Sequence, residues 1–248
     1  MTQAATPGMM IVLEGPDFSG KSTAAKYLKE TLDKLMATAR GEGEHVVLTR
    51  EPGGTPFGEE ARELFFKHAP KMTTMAQTLL INAIRCDHMD NIVMPSLEAG
   101  KIVICDRFTL STYVYQKDVD ISEHMALESF SVPDITPDLV VVFDVSADTI
   151  MKRSALQRPD EANCFDETAR DKVEARLSTY KLKLAEAIHI NTQEESAGLF
   201  ASNVLQLDAN PDWPIVQQAL DDLALSIVDW CNPSTEEENG GEAEHEEG

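Results

Sequence analysis

The run Gly15-Pro16-Asp17-Phe18-Ser19-Gly20-Lys21-Ser22 restricts this chain more than any other feature, because it fits the pattern GxxxxGK followed by Ser or Thr in full. It follows an apolar run, Met9–Glu14, and opens a stretch of helical spacing. A strand, a glycine loop and a helix in that order turn backbone N–H groups inward around phosphate oxygens, and the helix N-terminus adds its positive dipole end. Lys21 then reaches the β and γ phosphates of a nucleoside triphosphate, while the Ser22 hydroxyl is placed for Mg²⁺. A plain glycine turn ahead of a helix requires neither Lys21 nor Ser22. The pattern points to triphosphate binding and leaves the acceptor open.

Four further apolar runs are expected strands: His45–Thr49, Lys101–Cys105, Leu139–Val145 and Val204–Leu207. Near-continuous Val, Ile and Leu without alternation is the mark of strands covered on both faces, as in a parallel sheet. Between them, Ala24, Leu28, Leu32, Leu35 and Met36 share one face of a helix that stops before Gly41. Met75–Leu97, Asp166–Ile188 and Trp213–Trp230 are three more helical stretches. The expected fold is therefore α/β, a doubly wound sheet of five parallel strands flanked by helices. Its 248 residues suit one domain, here 9–232, with a flexible start over 1–8. The segment from Thr235 to Gly248 holds seven glutamates and no Lys or Arg, so 233–248 is expected to be a disordered acidic tail.

The net charge of −22 argues against broad binding to nucleic acid or anionic lipid, although local arginines can still dominate a pocket. No stretch approaches the roughly 20 apolar residues of a membrane span. Cys86, Cys105, Cys164 and Cys231 are scattered without metal-site spacing, which suits reduced thiols and a cytoplasmic setting.

A phosphate loop usually works with a carboxylate at the end of a second strand. Asp106 and Asp144 both follow apolar runs, and pattern alone does not choose between them. Asp106 is favoured because Arg107 brings a cation to the same strand end, where open α/β sheets collect ligands. Three clusters then suggest an acceptor site: Thr49 to Pro56 with its Pro-Gly-Gly turn, Arg85 in an apolar helix, and Asp106 to Gln116. A buried arginine is costly unless it has a partner.

Those clusters resemble the thymidylate kinase family. Arg50-Glu51-Pro52-Gly53-Gly54-Thr55 is similar to its segment after the second strand, and Asp106-Arg107-Phe108 with Ser111 to its Asp-Arg-aromatic-x-x-Ser motif. Tyr115-Gln116 and Pro137-Asp138-Leu139 resemble further family segments, and the similarity runs from about Met9 to Ala209. The resemblance implies a P-loop NTPase fold of three layers and transfer of the γ-phosphoryl group of ATP to dTMP with Mg²⁺. It implies ATP binding by Gly15, Ser19, Gly20, Lys21, Ser22 and Thr23, and a metal site at Ser22 and Asp106. Arg62 and Arg107 would hold the 5′-phosphate region of the acceptor, with Asp17 meeting its sugar or phosphate end, and Arg50, Ile81 and Ser111 would also belong to the substrate site. Arg85, Thr112 and Gln116 would line the base, and Tyr115 would pack near C2′ and disfavour a ribose. A basic lid near 152–166 would supply Arg153 and Arg158 to the reaction beside Lys21, Asp17 and Arg107. Family members commonly pair as homodimers, for which the Met75–Leu97 helix has apolar positions to spare.

This chain departs from the family in three places. Phe18 stands where some members carry a catalytic arginine. Ile81 replaces a phenylalanine that stacks on the base, so stacking is lost and the room above the ring changes. Asn163-Cys164-Phe165-Asp166 replaces a lid segment that carries Asp-Arg. These changes keep two alternatives open: a kinase for another deoxypyrimidine monophosphate such as 5-hydroxymethyl-dUMP, and a weakly catalytic nucleotide-binding protein.

Overall fold

A computed structural model describes residues 8–132, 135–156, 165, 169–191 and 202–232. Five strands form one parallel sheet: β1 (Met9–Glu14), β2 (Val46–Arg50), β3 (Ile102–Asp106), β4 (Leu139–Asp144) and β5 (Asn203–Asp208). Their order is β2-β3-β1-β4-β5, so the winding reverses beside β1 and opens a crevice at its carboxyl end. The phosphate loop lies there. All six residues of β1 are buried, as its unbroken apolar run requires. The outermost strand differs from expectation, because most of β5 is exposed, including Val204 and Leu205. An edge strand has a neighbour on one side only, which the apolar pattern of its residues did not reveal.

The helices are α1 (Lys21–Arg40), α2 (Pro56–His68), α3 (Thr74–His88), α4 (Met94–Glu98), α5 (Thr109–Tyr115), α6 (Ile121–Ser131), α7 (Ala147–Ser154), α8 (Arg170–Asn191) and α9 (Trp213–Cys231). Side-chain caps start several of them: Thr55 accepts from the Gly58 N–H, Thr73 from Ala76, and Asp120 with Glu123 forms a capping box. The expected Met75–Leu97 helix is α3 and α4 joined by a π-helical turn, Met89–Val93, with Gly100 (φ 72°) in the turn beyond. Alternate side chains of each inner strand feed two cores. Leu28, Leu32, Met36 and Leu220 cover one face of the sheet, and Met89, Val93, Val114 and Tyr180 cover the other. The expected lid is described only at 152–156 and Phe165. Arg158, the acidic tail and nearly all of the N-terminal segment lie outside the described residues.

Candidate active site

The phosphate loop joins β1 to α1. Gly20 stands at the helix N-cap with φ 95°, a left-handed conformation that suits glycine, and no side chain caps the first turn. The N–H groups that Thr55 and Thr73 satisfy elsewhere are left here for an anion. Lys21 is buried, and its Nζ donates to the Pro16 carbonyl at 2.7 Å and to Ser19 Oγ at 3.3 Å. Burial, and then the positive charge of Arg107, lowers the ammonium to about 8. Ser22 Oγ donates to Asp106 Oδ2 at 2.6 Å, and Asp106 Oδ1 is buried with no partner among the described residues. Of the two strand-end carboxylates, Asp106 is the one that meets Ser22; Asp144 is exposed at the end of β4. A hydroxyl and a carboxylate with an unsatisfied oxygen suit a hard cation such as Mg²⁺.

Lys21, Ser22, Thr23, Arg50, Asp106 and Arg153 line an open cleft of about 1140 Å³. Arg153 reaches the loop, but its Nη1 donates to the Phe18 and Ser19 carbonyls and its Nη2 to the Ala209 carbonyl. In this arrangement it braces the loop. Arg50 is exposed and pairs with Glu59 at 2.5 Å.

A second cleft, of about 580 Å³, is narrower and more apolar, with Ile81, Phe65, Phe66, Phe108 and Phe165 in its walls. Arg85 is 1% exposed, and its neighbours explain how an arginine can occupy an apolar helix. Nε donates to Glu51 Oε2 at 2.7 Å and Nη2 to Thr112 Oγ1 at 2.8 Å, while the guanidinium carbon lies 5.2 Å from the Phe108 ring centre. Burial pushes Glu51 up, but Arg85 and then His88 outweigh it and hold the carboxyl below its ordinary value. Gln116 Nε2 donates to Gln77 at 3.1 Å, and its buried Oε1 has no partner among the described residues. Thr112, Gln116, Ser111 and Tyr115 all line this cleft.

The two clefts share Asp17, Glu51, Arg62 and Arg107. Arg107 sits at φ 75°, a left-handed conformation that costs a non-glycine residue about 1 kcal/mol or more and that clusters at functional sites. Its Nη2 pairs with Asp17 Oδ1 at 2.5 Å, and Nη1 donates to the Gly15 carbonyl, Ser111 Oγ and Tyr180 Oη. Tyr115 Oη donates to the other Asp17 oxygen at 2.5 Å. Burial pushes Asp17 up, yet Arg107 and then Lys21 keep it below its ordinary value. Arg62 donates to the Pro52 carbonyl at 2.7 Å and lies over Phe66; burial, then Arg50, lowers it to about 10.

Several supporting residues escaped the sequence reading. Glu14 ends β1 fully buried and accepts from the Phe108 N–H, the Ser111 N–H and Ser111 Oγ at 2.7–3.0 Å, which anchors the Arg107 turn. Burial raises its carboxyl. Glu51 forms the counter-charge beneath Arg85, and His88 braces its other oxygen at 3.1 Å while lying 2.6 Å from Thr49 Oγ1. Tyr180 and Arg176 arrive from α8, and Phe65 and Phe66 from α2. The one available signal was Arg85 itself, whose burial demanded a carboxylate.

A phosphate loop at a sheet switch point, adjoining a second cleft through two arginines, defines a P-loop phosphotransferase. The model for thymidylate kinase matches residues 13–202. Thymidylate kinase of Pseudomonas fluorescens (strain Pf0-1) is 36% identical over 227 residues, covering 90% of this chain and 97% of that protein. Thymidylate kinase of Ectopseudomonas mendocina (strain ymp) is 33% identical over 228 residues, with 90% and 98% covered. The crystal structure of thymidylate kinase from Ehrlichia chaffeensis superposes with a TM-score of 0.63 at 27% identity, covering 90% of this chain and 99% of that one. The chain belongs to the thymidylate kinase family.

Proposed function

We propose that this protein transfers the γ-phosphoryl group of ATP to dTMP, giving dTDP for deoxynucleotide biosynthesis. The observation that carries this reading is the meeting of the two clefts at Asp17, Arg62 and Arg107. A triphosphate seated on the loop and a monophosphate seated in the narrower cleft would bring their phosphates together at that boundary. Holding two reactants in line is the larger part of catalysing phosphoryl transfer, and no covalent enzyme intermediate is needed.

Lys21 and the first-turn amides of α1 hold the donor phosphates; Arg107 and Arg62 hold the acceptor phosphate. Arg153 keeps the loop in shape, and Arg158 is proposed to close over the transferring group. Mg²⁺, held by Ser22 and Asp106, would offset charge on the donor phosphates. Gln116 Oε1 supports a thymine base, since thymine N3 carries a hydrogen to donate and cytosine N3 does not. Arg85 has five N–H donors, and its bonds to Glu51, Thr112 and Asn82 engage three, which leaves N–H groups for a base oxygen.

Incubation with ATP, Mg²⁺ and a panel of monophosphates tests this directly: dTMP, dUMP, 5-hydroxymethyl-dUMP, dCMP, dGMP, dAMP and UMP. Preferred conversion of dTMP to the diphosphate is expected. Preference for 5-hydroxymethyl-dUMP would replace the substrate, and release of inorganic phosphate alone would remove the kinase reading.

A homodimer is proposed as well. Phe57, Leu64 and Leu79, on α2 and α3, are each at least half exposed, and light scattering on the purified protein decides the matter. A cytoplasmic location is supported by free Cys86, Cys105 and Cys231. No helix among the described residues is long and apolar enough to cross a membrane.

A further inference from the structure

Helix α8 turns an arginine toward the acceptor site. Val173 and Tyr180 are buried on its inward stripe, and Arg176 lies between them, three residues after the first and four before the second. Its guanidinium carbon is 4.3 Å from the centre of the Tyr115 ring, closer than that of Arg107 at 5.2 Å. Its Nη1 donates to the carbonyl of Val114 at 3.3 Å, so one side chain holds both the ring and the peptide before it. The Tyr115 hydroxyl is fixed to Asp17, and its ring meets Tyr180 edge-on with centres 6.3 Å apart.

We propose that Arg176 is a positioning residue that holds the Tyr115 ring against the acceptor sugar and so sets the preference for a 2′-deoxynucleotide over a ribonucleotide. This deepens the reading above and rests on Tyr115 standing beside C2′. A side chain excludes a hydroxyl by occupying its space, and the exclusion is only as strong as the ring's resistance to moving aside. The Asp17 bond ties one end of the ring. A cation over the face, bound to the adjoining backbone, resists the remaining swing.

The test compares wild type, Arg176→Met and Arg176→Lys with dTMP and with its ribose counterpart, 5-methyl-UMP. For Arg176→Met, the ratio of kcat/KM for deoxy over ribo is expected to fall roughly tenfold, a loss in the range of a buried cation–π contact. The change should fall mainly on KM for the ribonucleotide, with KM for ATP and the melting temperature unchanged. Arg176→Lys, which keeps a cation over the ring, should recover much of the ratio. An unchanged ratio overturns the proposal, as does an equal loss for both sugars with a lowered melting temperature, which would reduce Arg176 to packing. Calorimetric binding of the same two nucleotides separates the two levels of inference. A wild type that fails to turn over dTMP while still binding the deoxy form in preference sinks the kinase reading alone; the binding ratio in Arg176→Met then decides the role of this arginine.

Discussion

The donor cleft and the acceptor cleft touch, yet they are built in opposite ways. The donor cleft is open and polar, and its binding groups are mostly backbone amides and neighbours of one loop, with Ser22 and Thr23 exposed. The acceptor cleft is assembled from side chains of α2, α3, α5, the β3 end and the phosphate loop, over a buried ion pair. A loop of consecutive residues can lose one side chain without losing its shape. An interlocked set of buried charges cannot, because each partner removed strands another. Chemistry and stability should therefore separate on the donor side and coincide on the acceptor side.

Lys21→Met gives the largest expected effect. On the proposed reading the ammonium meets the phosphates between which charge shifts, so kcat should fall on the order of a thousandfold. Binding of dTMP and the urea midpoint should change little, because the lost bonds run to a carbonyl and a hydroxyl of the same loop. A large drop in stability would erase the contrast between the clefts.

Arg85→Met should do the reverse in kind. It leaves the buried Glu51 with His88 as its remaining named side-chain partner. Breaking a buried pair from one side typically costs about 3–5 kcal/mol, so urea denaturation should show it plainly. Glu51→Gln added to Arg85→Met removes the stranded charge and should recover part of the stability but not the binding of dTMP. Failure of the double variant to recover any would mean that the ion pair is not what holds this side together.

Glu128 sharpens the same contrast through pH. It is buried on α6, accepts from Tyr113 Oη at 2.8 Å, and is pushed up to about 7 by desolvation, against the pull of Arg85. A carboxyl raised in the folded state adds stability that is present below its unfolded value, near 4.5, and is lost as pH rises through about 7. Glu128→Gln keeps an acceptor for Tyr113 and does not titrate. Relative to wild type, it should therefore gain about 1–3 kcal/mol between pH 4.5 and pH 8. Parallel stability curves for the two proteins would place the Glu128 titration elsewhere.

The same division explains what could be read from the residues in order. The loop Gly15–Ser22, the five strands and the line of apolar residues along α1 are local patterns, and a local pattern survives in the chain as written. Asp106 and Asp144 matched equally as apolar runs ending in Asp, and only the adjacent Arg107 favoured the first; the approach of Ser22 to Asp106 at 2.6 Å is a product of packing. Glu14, Tyr180 and Arg176 carry no mark of their roles, since each acts on a residue at least 60 positions away. Arg85 was legible as a demand for a partner, but Glu51 as the answer was not. The exposed edge of β5 was hidden for a similar reason: Val204 and Leu205 have strand character whether or not a second strand follows.

The smallest expected effect concerns Ile81, where the family stacks a phenylalanine. Ile81 is buried against Phe65 and Ala69, with Phe66 and Phe165 at the rim of the same cluster. The aromatic surface around Ile81 thus comes from α2 and Phe165, the latter stacked on Phe65 at 5.6 Å with the rings 13° from parallel. Phe at position 81 would enter a space these rings already fill, and added bulk in a packed site typically costs about 1–3 kcal/mol. Ile81→Phe should therefore lower kcat/KM for dTMP roughly three- to tenfold and lower the urea midpoint, while KM for ATP stays constant. Tighter dTMP binding by this variant would instead mean that the acceptor cleft lacks a stacking face, and that its aromatic wall on α2 serves packing alone.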